Sequence, residues 1–314
     1  MRKVAVVALL FLVLPAYARD ARTKARPAAA KPATFKRLAP DATRLSRLLG
    51  QARRGDVTPS AIIDNRSSRI VVIPAAGSAA GANGTFFRSD VTLVNMNDAD
   101  QSIVAVWFPN GNPDGLVEFE GLIESGPPFT YVDFVGDALG LTGIGSLVFV
   151  PITADGTNLD ANAAIDAYSR IWSPAPNGAA GTFSQPFPSV DLFHLDGEYE
   201  ALMLGLRQDT GFRTNYGIAN FSDVSLPMAV TVFNNDGAIV SEFEVTVRSD
   251  EMILRSLPAG NFGNISILVS VTDDILGDDF QWTAFASSTD NFNGDGWVSI
   301  GSKPYDDDGL DTGQ

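Results

Sequence analysis

The side chains best suited to bind a metal ion lie in one acidic loop near the end of the sequence. The stretch TDNFNGDGW places Asn291, Asn293 and Asp295 at alternate positions before Gly296, which is the opening pattern of a calcium-binding loop. Calcium takes oxygen ligands, and Asn and Asp side chains supply them. The twelfth position from Asn291 is Ser302 rather than Glu, so the bidentate ligand is missing. The pattern predicts either a weak structural calcium site at these three residues or a solvated hairpin turn.

Two arginines recur in the same local context, 125 positions apart. The stretch FFRSDVTLVNMND at 86–98 and the stretch GFRTNYGIANFSD at 211–223 each carry an arginine directly after a phenylalanine. A guanidinium group binds carboxylates and also packs along aromatic rings. Two interpretations stay open for Arg88 and Arg213. Each pairs with an acid of its own part of the chain, or each belongs to a ligand site for a carboxylate or a sugar.

The sequence lacks the usual catalytic combinations, and we assign no catalytic residue and no cofactor. It contains no cysteine and a single histidine, His194, so neither a thiolate nor a multi-histidine zinc site is available. A Gly-x-Ser-x-Gly elbow and a phosphate-binding Walker loop are also missing. Pairs of carboxylates that converge in space would support a hydrolase, which is kept as an alternative.

The tryptophans allow a second alternative, carbohydrate binding. Exposed indole rings stack on sugars, whereas indole rings inside strands usually pack in a core. The sequence leaves both open for the four tryptophans, which are Trp107, Trp172, Trp282 and Trp297.

The first 18 residues have the pattern of a signal peptide. Arg2 and Lys3 precede an apolar run from Val4 to Leu14, and the small-x-small triplet AYA follows Pro15. The run is too short to span a bilayer, so we expect no transmembrane segment in the mature chain. The protein is therefore expected to be exported, to the periplasm, the cell surface or the extracellular space.

Charge divides the remaining chain into a basic arm and an acidic body. Residues 19–54 carry eleven basic and two acidic side chains, whereas residues 55–314 carry nine basic and thirty-five acidic ones. A body of this charge repels nucleic acid, so we expect no nucleic-acid partner for it. Few large apolar side chains occur in 19–37, which predicts a disordered or extended segment. Leucines at helical spacing predict a short helix near 41–54. Two interpretations stay open for the arm. It is a linker whose short helix docks on the body or frays in solvent, or it binds an anionic surface polymer or the acidic body of the chain itself.

From residue 69 onward the sequence predicts short β-strands separated by turns. Segments rich in β-branched and aromatic residues alternate with Asn-Gly and Asp-Gly pairs. Six segments recur in the same order, which predicts a duplication. Alternation places Val91 and Leu93 on one strand face with Asn95, and Asn95 is expected to end its strand by hydrogen bonding to the following turn. Asn220 has the equivalent place in the second unit.

We therefore predict an all-β fold of two tandem antiparallel β-sandwich domains of the immunoglobulin-like class. The predicted divisions are a signal peptide at 1–18, a basic Ala/Pro-rich arm at 19–68, one sandwich at 69–175, a connector at 176–198, a second sandwich at 199–303 and an acidic flexible tail at 304–314.

The motifs GTFFRSDVTLVN, GLRQDTGFRTNYGIANFSD and the closing STDN resemble a group of uncharacterised secreted bacterial proteins with two β-rich units. The resemblance covers about residues 69–300 and implies secretion and the tandem layout, but it implies no activity. We expect a secreted or envelope-associated, non-enzymatic binding or structural protein. Its partner is expected to be a protein or glycan of the cell envelope or the extracellular space.

Overall fold

A computed structural model of the chain describes residues 34–304, except for residues 40, 54–69, 82–83, 161, 176–180, 193–194, 196, 198 and 273–279. The described part is nearly all β, as the sequence predicts, and its sheets are antiparallel. We call the part up to Leu192 the first half and the part from Leu195 the second half. Residues 34–53, without residue 40, form the N-terminal segment of the first half.

The first half contains ten strands that join in one sheet. The sheet order is β1-β5-β4-β7-β2-β3-β8-β9, with β10 beside β2 and β6 beside β3. β2 and β3 pair only at Ala79–Phe87 and Ala80–Phe86, and the strands on either side of this junction enclose a common core. The strands are β1 (Lys36–Arg37), β2 (Val71–Ala80), β3 (Phe86–Asn95), β4 (Gln101–Pro109), β5 (Val117–Ile123), β6 (Phe129–Tyr131), β7 (Gly143–Ile152), β8 (Ile165–Pro174), β9 (Thr182–Pro188) and β10 (Val190–Asp191).

The second half contains eight strands in two four-stranded sheets, ordered β11-β16-β13-β14 and β15-β12-β17-β18. These orders repeat the orders β2-β7-β4-β5 and β6-β3-β8-β9 of the first half, strand for strand. The strands are β11 (Glu200–Gln208), β12 (Phe212–Asn220), β13 (Leu226–Asn234), β14 (Ile239–Val247), β15 (Met252–Ser256), β16 (Gly263–Val271), β17 (Trp282–Asp290) and β18 (Gly296–Ile300).

Alternating apolar residues build a core inside each half, as expected from the period-2 pattern of strands. Val91 and Leu93 enter the core of the first half, and Tyr216 and Ile218 enter the core of the second, which confirms the predicted alternation. Ile103 of β4 and Met228 of β13 both enter these cores and are 125 positions apart, which is also the spacing of the two repeated arginines.

A third hydrophobic cluster joins the two halves. The ring centroids of Phe108 and Phe221 are 5.1 Å apart, and those of Phe187 and Phe285 are 5.3 Å apart, both edge to face. The turn after β4 also binds β15, since the amide of Gly111 donates to the carbonyl of Met252 over 2.7 Å. The halves therefore share a buried apolar interface.

The N-terminal segment docks on the first half. Helix α1 (Ala42–Arg53) buries Leu45, Leu48 and Leu49 in the cluster between the halves. The carboxylate of Asp41 caps the helix by accepting from the amide of Thr43 over 3.1 Å. Phe35 packs edge to face against Tyr131 and Phe134, and Lys36–Arg37 form a strand, so the described end of the 19–37 stretch fits the extended alternative of the prediction rather than the disordered one. Residues 1–33, including the predicted signal peptide, lie outside the described residues.

The stretch predicted to be a connector contains part of the first-half sheet. β9 pairs with β8 from Thr182 to Pro188, and β10 pairs with β2. Pro186 and Pro188 make this stretch look unlike a strand, but β9 has a paired neighbour on one side only among the described residues. An edge strand tolerates proline because only one of its sides needs hydrogen-bond donors.

Candidate functional site

A cavity of about 380 Å³ opens where the N-terminal segment and the two halves meet. This volume is in the range of small-molecule sites. Its walls come from the N-terminal segment, from the turn after β4, from the start of β5 and from two turns of the second half. Leu45, Leu49 and Phe221 supply apolar surface.

Carboxylates dominate the charge of the cavity. Five acids line it, together with a single cation, Arg37. Four separate stretches of the chain contribute them, so the fold rather than a local motif brings them together. The acids are Asp41, Asp114, Glu118, Asp223 and Asp250.

Glu118 is the most buried of these acids, with a side chain only 2% exposed. Its Oε2 atom accepts a hydrogen bond from Nη1 of Arg44 over 3.2 Å. Its Oε1 atom is buried and has no hydrogen-bond partner among the described residues. Burial raises the pKa of Glu118 above the ordinary 4.5, and the charge of Arg44 opposes this change. A residue that lines the cavity therefore contains a buried carboxylate oxygen without a hydrogen-bond donor among the described residues.

Asp250 is the second lining residue whose carboxyl pKa is raised. It lies in the turn between β14 and β15 with a φ of 54°, in the left-handed region that non-glycine residues seldom adopt. Burial raises its pKa, and the nearby negative charge of Asp223 raises it further, against the hydrogen bond from Ser249. The cavity thus contains two carboxyl groups that resist ionisation, Glu118 and Asp250. A bound cation would favour the ionised form of both carboxyl groups and so lower their pKa values.

The two repeated arginines lie outside this cavity and have different partners. The Nε atom of Arg88 lies 3.4 Å from Oδ2 of Asp133, and its guanidinium packs over the rings of Phe86 and Trp172. Nη1 of Arg213 donates to Oδ1 of Asn291 over 2.8 Å. Each arginine therefore contacts its own half, and a ligand role for either stays a prediction.

Two side chains of the predicted calcium loop, Asn291 and Asn293, accept hydrogen bonds from other residues of the protein. Oδ1 of Asn293 accepts from the amide of Asp295 over 2.8 Å, and Oδ1 of Asn291 accepts from Arg213. The described residues contain no group of three or more His, Cys, Asp and Glu side chains that could hold a metal ion. Calcium binding at Asn291, Asn293 and Asp295 stays a prediction, and the guanidinium beside Asn291 would compete with it.

The repeated asparagines, Asn95 and Asn220, are buried, and each joins two parts of the backbone through its side-chain amide. Nδ2 of Asn95 donates to the carbonyls of Ala99 and Ile123 over 2.8 and 3.1 Å. Nδ2 of Asn220 donates in the same way to Val224 and Val247 over 2.7 and 3.2 Å. The carbonyls belong to the following turn and to the last residue of β5 or β14, strands that do not pair with β3 or β12. The predicted strand-ending role is confirmed, with an additional bond to a second strand.

The tryptophans do not share one exposed face. Trp107 and Trp282 are buried in the cores, and the half-buried Trp172 donates to Oδ1 of Asp90 over 2.7 Å. Trp297 is 38% exposed, and its ring centroid lies 5.8 Å from that of Phe212. His194 lies outside the described residues.

Sequence reasoning missed the cavity because its lining is dispersed along the chain. One signal was present, however. The triplet Glu-Phe-Glu occurs at 118–120 and again at 242–244, and the basic arm at 19–54 has only two acids of its own. The charge imbalance, rather than the repeat, indicates that acids of the body lie opposite the arm.

Comparisons with known proteins leave the family open. No protein-family model matches the chain, and no curated protein matches it. Among solved structures, a crystal structure of the lectin from Pleurotus ostreatus in complex with GalNAc aligns with 14% identity over 76% of this chain and 86% of that chain, with a TM-score of 0.15. A TM-score this low carries no argument about fold or function. Among the described residues, no helix is long and apolar enough to cross a membrane.

Proposed function

We propose that the chain is a non-enzymatic binding protein, made of two tandem β-sandwich modules, that holds an organic cation in the cavity between its N-terminal segment and its two halves. The observation that carries this proposal is the buried carboxyl group of Glu118, a residue that lines the acidic cavity and whose Oε1 atom has no hydrogen-bond partner among the described residues. The ligand class is an amine or guanidinium group on an apolar stem. The immunoglobulin-like type of the modules is part of the proposal.

Charge and shape support this ligand class together. A cation gains from the surplus of carboxylates over the single Arg37, and an apolar stem gains from Leu45, Leu49 and Phe221. A buried acceptor without a donor destabilises the empty site, so a ligand that donates to Glu118 removes that cost. The same surplus of carboxylates would repel anionic ligands.

The test compares two ligands of the same shape. Butylguanidinium and its neutral isostere butylurea are titrated into the full chain by isothermal calorimetry at low and high salt. We expect the cation to bind roughly tenfold or more tightly than the urea, a difference of about 1.4 kcal/mol. Equal affinities, or no heat with either ligand, would contradict the proposal.

A matched pair of variants locates the binding. Glu118→Gln removes the buried charge and should abolish the preference for the cation. Glu124→Gln removes an exposed charge outside the cavity and should leave the preference unchanged. Loss of the preference in both variants would indicate non-specific attraction to an acidic protein rather than a site.

Export to the envelope or the exterior belongs to the same proposal and has its own test. The charge and apolar pattern of residues 1–18 supports it. Fractionation of the source cells should place the chain outside the cytoplasm, with Arg19 as its first residue. An intact N-terminus in the cytoplasmic fraction would contradict export.

One observation favours carbohydrate binding as a second candidate. Trp297 and Phe292 are 38% and 87% exposed, and Phe212 packs against Trp297 under the guanidinium of Arg207. Exposed aromatic rings beside polar groups suit a sugar face. Glycans should then protect Trp297 from fluorescence quenching, whereas Trp297→Ala should abolish binding to a glycan array. Quenching that no glycan changes would remove this candidate. A carboxylate-dependent hydrolase stays a prediction.

A further inference from the structure

The triplet Glu-Phe-Glu occupies equivalent places in the two halves. Phe119 of β5 enters the core of the first half, and Phe243 of β14 packs against the core of the second. β5 and β14 are also equivalent in the repeated strand order. Glu120 and Glu244 therefore correspond to one another, as do Glu118 and its counterpart Glu242.

In the first half, basic residues of the N-terminal segment cover this triplet. β1 pairs with β5 so that Lys36 lies directly opposite Glu120. The amide of Leu38 donates to the carbonyl of Glu118 over 2.9 Å, and Arg44 forms the ion pair with its carboxylate. The edge of the sheet is thus extended by a basic strand.

In the second half, no described strand of the N-terminal segment pairs with the same triplet. Within the described ranges, β14 pairs with β13 and with no other strand. Glu242 and Glu244 are exposed, and no described Lys or Arg lies within ion-pair distance of either. A nine-residue edge strand with free donors and acceptors is a template for a further strand.

The sequence contains a segment that matches this edge. Residues 22–26 read Arg-Thr-Lys-Ala-Arg, so that their three cations alternate with small side chains. In an extended strand, alternate side chains share one face. Cations spaced by two therefore align with Glu242 and Glu244, which are also spaced by two, and opposite charges across neighbouring strands stabilise a sheet.

We propose that residues 22–26 of this chain add to the free edge of β14 as a basic strand, as Lys36–Arg37 adds to the edge of β5. The acidic triplet of each half then binds a basic stretch of the arm. This strand addition is independent of the ligand in the cavity, because β14 does not line the cavity.

Hydrogen exchange of the full chain tests the proposal at the level of single amides. The β14 amides that do not donate to β13 exchange freely at an open edge and slowly at a paired one. We expect roughly tenfold or greater protection of these amides within Ser241–Val247 in the full chain. Reversal of two charges, by Lys24→Glu with Arg26→Glu, should remove the protection. A further reversal at β14, by Glu242→Lys with Glu244→Lys, should restore it.

The control variant carries the same charge change outside the alternating run. Arg19→Glu with Lys31→Glu should leave the β14 protection in place. Three outcomes would overturn the proposal. They are unprotected β14 amides in the unchanged chain, protection that survives the reversal at residues 24 and 26, and protection that appears around Asp250 instead of β14. Far-ultraviolet circular dichroism checks that each variant is folded.

Discussion

At the scale of single residues, the repeated asparagines join separate strands and turns through buried side-chain hydrogen bonds. Asn220 is fully buried, and its amide donates to three backbone carbonyls, of Val224, Val247 and Arg248. Its oxygen accepts from the amide and the hydroxyl of Ser222. Removal of the side chain deletes these bonds, of which the one to the carbonyl of Val247 is buried.

We expect Asn220→Ala to lower the free energy of unfolding by about 2–3 kcal/mol, because the substitution removes several side-chain hydrogen bonds and leaves the buried carbonyl of Val247 without this donor. Asn95→Ala should lower it by a similar or smaller amount, since Asn95 donates to two carbonyls. Denaturant unfolding monitored by tryptophan fluorescence measures both. Asn293→Ala, at an exposed position, is the control and should change stability by less than about 0.5 kcal/mol. Equal effects at Asn220 and Asn293 would contradict the conclusion that the hydrogen bonds of Asn220 stabilise the fold.

Glu118 predicts a pH dependence of stability with a definite sign. Its pKa is raised in the folded chain, so the folded state binds the proton more tightly than the unfolded state. As pH rises from the ordinary 4.5 through the folded pKa, the stability that Glu118 contributes is lost. The loss is about 1.4 kcal/mol for every tenfold difference in proton affinity between the folded and unfolded states.

The unfolding free energies of the unchanged chain and Glu118→Gln, measured from pH 4 to pH 8, should therefore converge or cross as pH falls. The glutamine cannot titrate, whereas Glu118 becomes neutral at low pH. A difference between the two proteins that is constant over this range would show that Glu118 has an ordinary pKa.

At the scale of elements, helix α1 depends on tertiary contacts for its stability. A twelve-residue helix is marginal alone in water, and three leucines anchor this one in the cluster between the halves. Because Leu48 is completely buried, Leu48→Ala should lower the unfolding free energy by about 2–5 kcal/mol. The exposed Arg47→Ala should have little effect. If Leu48→Ala is also neutral in chemical denaturation, the helix does not dock as described.

Much of the secondary structure was predictable from the sequence. The strand-like segments, the turn pairs between them and their repetition predicted the all-β class. The leucine spacing predicted α1. The docking of Phe35 was missed, because it depends on a space that Gly121 leaves open. A Cβ atom at Gly121 would lie 2.7 Å from the Phe35 ring. β9 was missed because its prolines resemble a connector.

At the scale of the whole molecule, the interface between the halves explains a difference between the two copies of the repeated strand. In β3 the face away from the core carries Thr92 and Val94, whereas in β12 it carries Gly217 and Ala219. The small residues leave room for Phe285, whose ring would lie 2.2 Å from a Cβ atom at Gly217. Strand periodicity alone indicates no partner for this face, so the cavity at the edge of the interface was not predictable.

The interface should couple the unfolding of the two halves. Phe108→Ala and Phe221→Ala should each lower the unfolding free energy by about 3–5 kcal/mol. Their double-mutant cycle should give a coupling energy of about 0.5–1.5 kcal/mol, because the two rings contact one another. Calorimetry should show a single transition for the unchanged chain. Strictly additive effects would mean that these rings do not meet.

The central claim is that the Glu118 carboxylate faces a cavity that accepts a cation, and a carboxyl-carbon NMR titration of Glu118 tests it most directly. The titration is made with and without butylguanidinium. We predict a Glu118 pKa above the ordinary 4.5 in the free chain and a lower one with the ligand bound, because the cation favours the ionised carboxylate. Binding should accordingly weaken as pH falls. A Glu118 pKa that the ligand does not change would contradict the account.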